Sequence, residues 1–342
     1  MGCLGSFGTN QYSSSQDNWF NYQGTYAATP QMINEANRRQ KIREEQAAAE
    51  NKKKKKDEIE DFLNKTVDPK LFVFDPNFFK DCDNIQKIKY DDSEYEGQMK
   101  DGKKHGKGIT RFYSGAAYQG EYKEGKMHGK GIYKYRSGSI YNGEFKENKL
   151  EGKGIMRYTD GVYEGEWKND NREGKGKFTW AEEKWRGNVY EGEWKNDIRH
   201  GKGKMKYNNS IYEGDLVDGR KEGKGKMTWT FGDREGGVYE GDFDYDNMQG
   251  IGKYTYPYNN GYYEGDFKFN LFYGYGHLCN REGDYIGDFK MGKREGKGTM
   301  IYKLESEGTY EGEWKNGKKH GKGVLTINDK IIKGEWEEGK KV

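Results

Sequence analysis

Residues 190–207 read Tyr190-Glu-Gly-Glu-Trp-Lys-Asn-Asp-Ile-Arg-His-Gly-Lys-Gly-Lys-Met-Lys-Tyr207, and this phrase decides the fold. It opens with Tyr-x-Gly and carries a Gly-x-Gly nine residues after that first glycine. The opening recurs at Tyr95, Tyr118, Tyr141, Tyr163, Tyr190, Tyr212, Tyr239, Tyr263, Tyr285 and Tyr310. A Gly-x-Gly follows at the same offset each time, from Gly106/Gly108 to Gly321/Gly323. Ten copies spaced 22 to 27 residues apart, with a half copy at Ile332-Lys-Gly-Glu-Trp336, form a repeat array.

Within a copy the side chains alternate with period two, the signature of a strand. Tyr163, Gly165 and Trp167 share one face, with Glu164, Glu166 and Lys168 on the other. After a turn Gly174 and Gly176 fall on one face with Phe178 and Trp180, and Lys175 and Lys177 lie opposite. Tyr190, Gly192, Trp194, Gly201 and Gly203 repeat the rule. Asp101-Gly102, Glu124-Gly125, Asp218-Gly219 and Asn316-Gly317 between the two strands are hairpin turns. Glycine weakens a strand interior, but a neighbouring ring can lie on its bare backbone. The expected fold is mainly β: an elongated, single-layer antiparallel β-hairpin solenoid over residues 94–342, with no central core. At ~4.8 Å per strand it extends on the order of 100 Å.

The phrase Tyr-x-Gly-x-Trp/Phe, with Gly-x-Gly nine residues on, resembles the MORN repeat (membrane occupation and recognition nexus). The resemblance covers about Glu94 to Val342. It implies a scaffold, set against membranes in some members and within cytoskeletal or ciliary assemblies in others. Some members carry a lipid kinase or SET methyltransferase domain beside the repeats, and this chain has no room for one.

Charged residues make up 34% of the chain and the net charge is only +3, so charge alone does not argue for nucleic acid. Three cysteines, Cys3, Cys82 and Cys279, suit a reducing cytosol and form no disulfide framework. No apolar run approaches the ~20 residues of a membrane span.

Ahead of the array, Met1-Gly2-Cys3-Leu4-Gly5-Ser6 fits N-myristoylation at Gly2, with Cys3 placed for palmitoylation. One acyl chain binds a membrane marginally, and a second makes the anchor stable. Residues 1–30 read as a flexible tether and 31–65 as a charged helix whose Ile59, Phe62 and Leu63 dock. Lys52, Lys53, Lys54, Lys55 and Lys56 are candidate membrane contacts, although the acids at Asp57, Glu58, Glu60 and Asp61 support a plain solvated helix equally. Residues 66–93 are a hydrophobic lead-in, and the stretch 68–80 is expected to cap the open edge of the first hairpin.

Along the array the return turns lengthen at 181–188, 230–237 and 303–308, and these loops should project from one edge. Copies seven and eight lose the usual lysines and histidine. Tyr245, Met248, Ile251, Phe272, Tyr273 and Tyr275 stand there instead at turn and outward positions. They are candidate partner-binding residues, with repeat drift as the alternative.

No catalytic set, metal site or cofactor motif emerges. His105, His128, His200 and His320 each precede a Gly-x-Gly and are duplicated turn residues. Gly292-Lys-Arg-Glu-Gly296-Lys-Gly-Thr299 has the wrong spacing for a phosphate loop. Lysines alternate onto the face opposite the aromatics, so a base could not stack where a phosphate is held, and nucleic acid is excluded as a partner. Glu-Gly-Glu beside Lys-Gly-Lys should pair across strands, leaving weak, salt-sensitive affinity for phosphoinositides and other acidic phospholipids. The reading is therefore a non-catalytic scaffold on the cytoplasmic face of a membrane that docks membrane-associated or cytoskeletal proteins, with homodimer formation compatible. Two alternatives stand beside it, a cytoskeletal or axonemal component and a regulatory partner of a lipid kinase.

Overall fold

A computed structural model describes residues 30–304, 306 and 308–342. Gly2 and Cys3, the expected acylation sites, lie outside them. The chain divides into two units, Met1–Lys54 and Lys55–Val342. The described part of the first is helical: α1 starts at Pro30, where proline's fixed φ suits a first helical turn, and ends at Thr66 in the second unit.

In the second unit 23 strands form one antiparallel sheet, each hydrogen-bonded to the next in chain order. The array is the hairpin solenoid the period implies. Each repeat turns through two residues that both have positive φ, as at Asp101-Gly102 (48° and 71°) and Asn316-Gly317 (52° and 84°). This turn matches the natural twist of the flanking strands.

The three glycines of a repeat have separate causes. In repeat five Gly192 faces Gly203, yet Glu193 faces His200, so the second strand carries a bulge at Gly201-Lys202. Gly201 has φ 61°, a conformation costly for a residue with a Cβ. Glu193 folds its carboxylate over that bulge and accepts the Lys202 N–H at 3.3 Å. The same tie joins Glu144 to Lys153, Asp242 to Ile251 and Asp288 to Lys297. The other two glycines sit directly opposite each other. In register with their neighbours they form an unbroken spine, one per strand from Gly97 to Gly334.

Over that spine lie the tyrosines. All ten repeat tyrosines are buried. Each phenol donates to the backbone carbonyl three residues on, at 2.6 Å for Tyr95 and 3.1 Å for Tyr310. Seven of the ten rings also meet two others edge to face: Tyr163 meets Trp167 of its own repeat at 5.1 Å and Trp194 of the next at 5.3 Å. Such contacts contribute about 0.5–1.5 kcal/mol each beyond burial. Two repeats lack the aromatic partner: Leu216 breaks the ladder between repeats five and seven, and Met99 stands at its start. The core is thus a line of rings along one face of the sheet. Beside the buried repeat tyrosines, half-buried Tyr133, Tyr135 and Tyr158 line a groove of about 500 Å³ on the same face.

The N-terminal edge also differs from expectation. Strand β1 (Ile85–Lys89) pairs with β2 (Ser93–Lys100) and covers the first hairpin. Residues 71–79 instead cross the outward face of the first three repeats, running back toward that edge. The Leu71 carbonyl accepts from Asn142 at 2.6 Å. Gln119 accepts the Asp75 N–H at 2.7 Å and donates to its carbonyl at 3.0 Å, and Lys107 donates to the Phe78 carbonyl at 3.3 Å. The helix end docks on repeat four: Leu63 packs with Val162 and Ala181, with Ile59, Phe62 and Ile155 around them. Loop 181–188, expected to project, folds onto that helix end through Lys55–Glu183 (2.8 Å) and Arg186–Glu58 (3.4 Å).

Candidate interaction surfaces

The outward face is built from the residues between the glycines, and its character changes along the array. Beside the glycine spine, repeats one to three present Ile109, Gln119, Ile132, Asn142 and Ile155 in register. This is the row that residues 71–79 and the helix end cover. Isoleucines supply apolar contact, and the two carboxamides bond the backbone of the segment. From repeat four the row becomes Glu164, Lys177, Glu191, Lys204, Glu213, Lys226, Glu240, Lys253 and Glu264. Adjacent members pair: Lys204–Glu213 at 2.8 Å, Lys226–Glu240 at 2.6 Å, Lys253–Glu264 at 3.0 Å. Being exposed, each contributes at most about 1 kcal/mol. Cross-strand pairing absorbs these charges as the sequence implied.

The partner-binding candidates separate into two groups. Met248 is buried in the ladder, and Phe272 stacks on Tyr263 at 3.8 Å, so neither stands outward. Tyr245, Ile251, Tyr273 and Tyr275 are exposed. Tyr275 borders a groove of about 830 Å³ that continues past Ile286 and Val324 over the glycine spine of the last repeats. Of the lysine run, Lys55 is engaged by Glu183, while Lys52, Lys53, Lys54 and Lys56 are exposed.

One constellation escaped the sequence reading. His277 and Cys279 share a face of one strand and meet Asp284 of the next: His277 Nε2 lies 3.0 Å from Asp284, and Tyr262 touches the other ring nitrogen at 3.2 Å. His-x-Cys within a strand was the available signal. Burial, then the Asp284 carboxylate, pushes the Cys279 thiol above its ordinary pKa, the opposite of what a nucleophilic sulfur needs. The cluster is structural. Among the described residues no group of His, Cys, Asp and Glu is arranged to hold a metal ion, and no helix is long and apolar enough to cross a membrane.

A single sheet of stacked hairpins, its rings consumed in packing and its outward face displayed, defines a non-catalytic repeat protein whose working part is a surface. The MORN repeat model matches residues 95–117, 118–140, 141–162, 163–182, 190–210, 212–234, 239–257, 285–303 and 310–330. The chain belongs to the MORN-repeat family. The eighth copy, from Tyr263, falls outside those segments, and it is the copy in which Tyr273 and Tyr275 replace histidine and lysine. No curated protein matches the chain. Among solved structures, the TCP10 domain of Danio rerio CPAP is 9% identical, with a TM-score of 0.34 over 59% of this chain and 94% of that one. The same domain in complex with a peptide of Danio rerio STIL is 8% identical, with a TM-score of 0.34 over 71% and 99%.

Proposed function

We propose that this protein is a membrane-anchored docking scaffold that holds extended segments of partner proteins on the outward face of its sheet. One observation carries the docking half. The face already holds such a segment in cis: Gln119 reads both the N–H and the C=O of Asp75, while Asn142 and Lys107 bond two further carbonyls. Backbone recognition of this kind, with apolar pockets for side chains, is how sheets take peptides.

The anchoring half rests on Met1-Gly2-Cys3-Leu4-Gly5-Ser6. A myristoyl chain at Gly2 and a palmitoyl chain at Cys3 place the array on the cytoplasmic face, with the exposed lysines of the 52–56 run as an auxiliary contact with acidic lipid. Fractionation and imaging of wild type beside Gly2→Ala tests this. Release of the variant to the soluble fraction is expected. Attachment of both proteins to detergent-resistant filaments contradicts the anchor and favours a cytoskeletal component.

A further inference from the structure

In all ten repeats the first residue of the hairpin tip is left-handed, with φ between 45° and 53°. Seven tips use Asp, Glu or Asn there. The three consecutive tips of repeats seven, eight and nine use Tyr245, Phe269 and Met291. A bulky side chain at positive φ is an outlier, and such strain persists where something other than folding requires it. These side chains gain nothing from burial, since they are 62%, 66% and 68% exposed.

Beneath five of the ten tips, Tyr245 and Phe269 among them, an acid or amide of the preceding repeat accepts the N–H of the tip residue, as Glu173 does for Asn196 at 3.0 Å and Gln249 for Phe269 at 3.1 Å. Tyr273 occupies that place beneath Met291, and Leu271 stands where five other repeats carry lysine. The result is an apolar edge crossing three hairpins, continuous with Tyr275 on the outward face.

Charge specifies what fits it. At two places elsewhere a lysine following one tip meets an acid at the next: Lys318 meets Glu338 at 2.7 Å and Lys126 meets Glu147. At the apolar tips those acids are gone. Among the described residues Lys268, Lys290, Lys293 and Lys297 make no ion pair; Lys268 lies over the Tyr273 ring at 5.1 Å. The nearby carboxylates are engaged: Asp266 accepts the Tyr275 N–H, Asp288 the Lys297 N–H and Asp246 the Lys221 N–H. Those hydrogen bonds leave the carboxylate charges in place, so Asp244, Asp266 and Asp288 offset the four lysines in part.

We infer that the tip edge of repeats seven to nine is a docking site for an acidic protein segment with aliphatic or aromatic side chains. Its carboxylates meet Lys268, Lys290 and Lys293, and its apolar groups cover Tyr245, Phe269 and Met291. An anionic bilayer is the poorer occupant: a flat anionic surface would meet Asp244 and Asp246 at the same edge, and Asp288 opposite Tyr275, whereas a segment can set its acids against the lysines alone. The inference rests on the docking reading above and is independent of the lipid anchor.

Selection of short random peptides displayed against the full chain, carried as Gly2→Ala, tests it. The comparison proteins are Tyr245→Asn/Phe269→Asn/Met291→Asn and Lys268→Glu/Lys290→Glu/Lys293→Glu. Asparagine suits the left-handed turn, so the triple asparagine variant should melt above wild type, which separates lost binding from lost folding. Enriched peptides should be acidic with apolar anchors, and both variants should bind them at least about tenfold more weakly, roughly 1.4 kcal/mol. Enriched peptides without acids, or with unchanged affinity for the asparagine variant, overturn the inference. So does a variant that loses only phosphatidylserine vesicles, which assigns the edge to membrane. Enrichment confined to another stretch of the array overturns this site alone, and enrichment nowhere on the array overturns the docking reading with it.

Discussion

Tyr190 covers Gly203 on the facing strand so closely that a Cβ on that glycine would lie 2.5 Å from the ring carbon Cε2. The same ring lies over Gly192, where a Cβ would stand 2.5 Å from the phenol oxygen and 2.6 Å from the Cα of Gly203. Phenol, glycine and glycine are one packing unit, repeated ten times.

Gly203→Ala therefore drives a methyl group into the ring of Tyr190, which is fully buried and has no room to move. A loss of about 2–3 kcal/mol is expected, at the upper end for overpacking. Gly317→Asn is the contrast: nothing approaches within 4 Å of a Cβ there, and its left-handed φ suits asparagine. Urea unfolding should show a clear drop in midpoint for the first and little change for the second.

Glu193 stabilises the bulge at Gly201 through its carboxylate. Glu193→Ala should cost about 0.5–1.5 kcal/mol, whereas Glu193→Gln keeps an acceptor and should recover most of it. Equal losses in the two variants would show that the carboxylate does not act as a cap.

Alkali should unfold the array in step with phenol ionisation. Burial pushes Tyr190 and Tyr310 up to about 12 and raises the other repeat tyrosines too. A phenol whose pKa is raised by folding favours the folded state fully below its unfolded value, roughly 10. That stabilisation is lost as pH climbs from there through 12. Phenolate absorbance and far-ultraviolet dichroism should change together, and phenolate appearing while the sheet stays intact would contradict the packing.

Leu63→Ala should loosen the helix end without melting the array. Leu63 is buried against Val162 and Ala181, and removing such a side chain costs about 2–5 kcal/mol. In a repeat protein such losses stay local. Hydrogen exchange should quicken across residues 55–66 while the repeat-eight strands keep their protection.

The hairpins were legible because their cause is local: Tyr-x-Gly, a two-residue turn and Gly-x-Gly fix strand, bulge and ring within one copy. Docking by Ile59, Phe62 and Leu63 was legible too, from apolar residues at helical spacing in a charged helix. The path of residues 71–79 was not, because it depends on Gln119 and Asn142, spaced one repeat apart and unremarkable singly. Only the sheet's register sets those two carboxamides in a row with Ile109, Ile132 and Ile155. Met248 and Phe272 were misplaced outward because the bulge at the first glycine of Gly-x-Gly changes which face the preceding residues take. Phe269 and Met291 were passed over for a related reason: a hydrophobic residue at a turn tip looks like drift until its left-handed φ and the free lysines beside it are seen.

The central claim is that the surface of this array, held at a membrane by its N-terminus, gathers partners without turning anything over. Proximity labelling in cells with wild type, Gly2→Ala and Tyr245→Asn/Phe269→Asn/Met291→Asn measures it directly. The account predicts that Gly2→Ala loses the membrane-peripheral neighbours. It predicts that the tip variant keeps those neighbours and loses a distinct acidic set. Indistinguishable neighbours for all three proteins would contradict it.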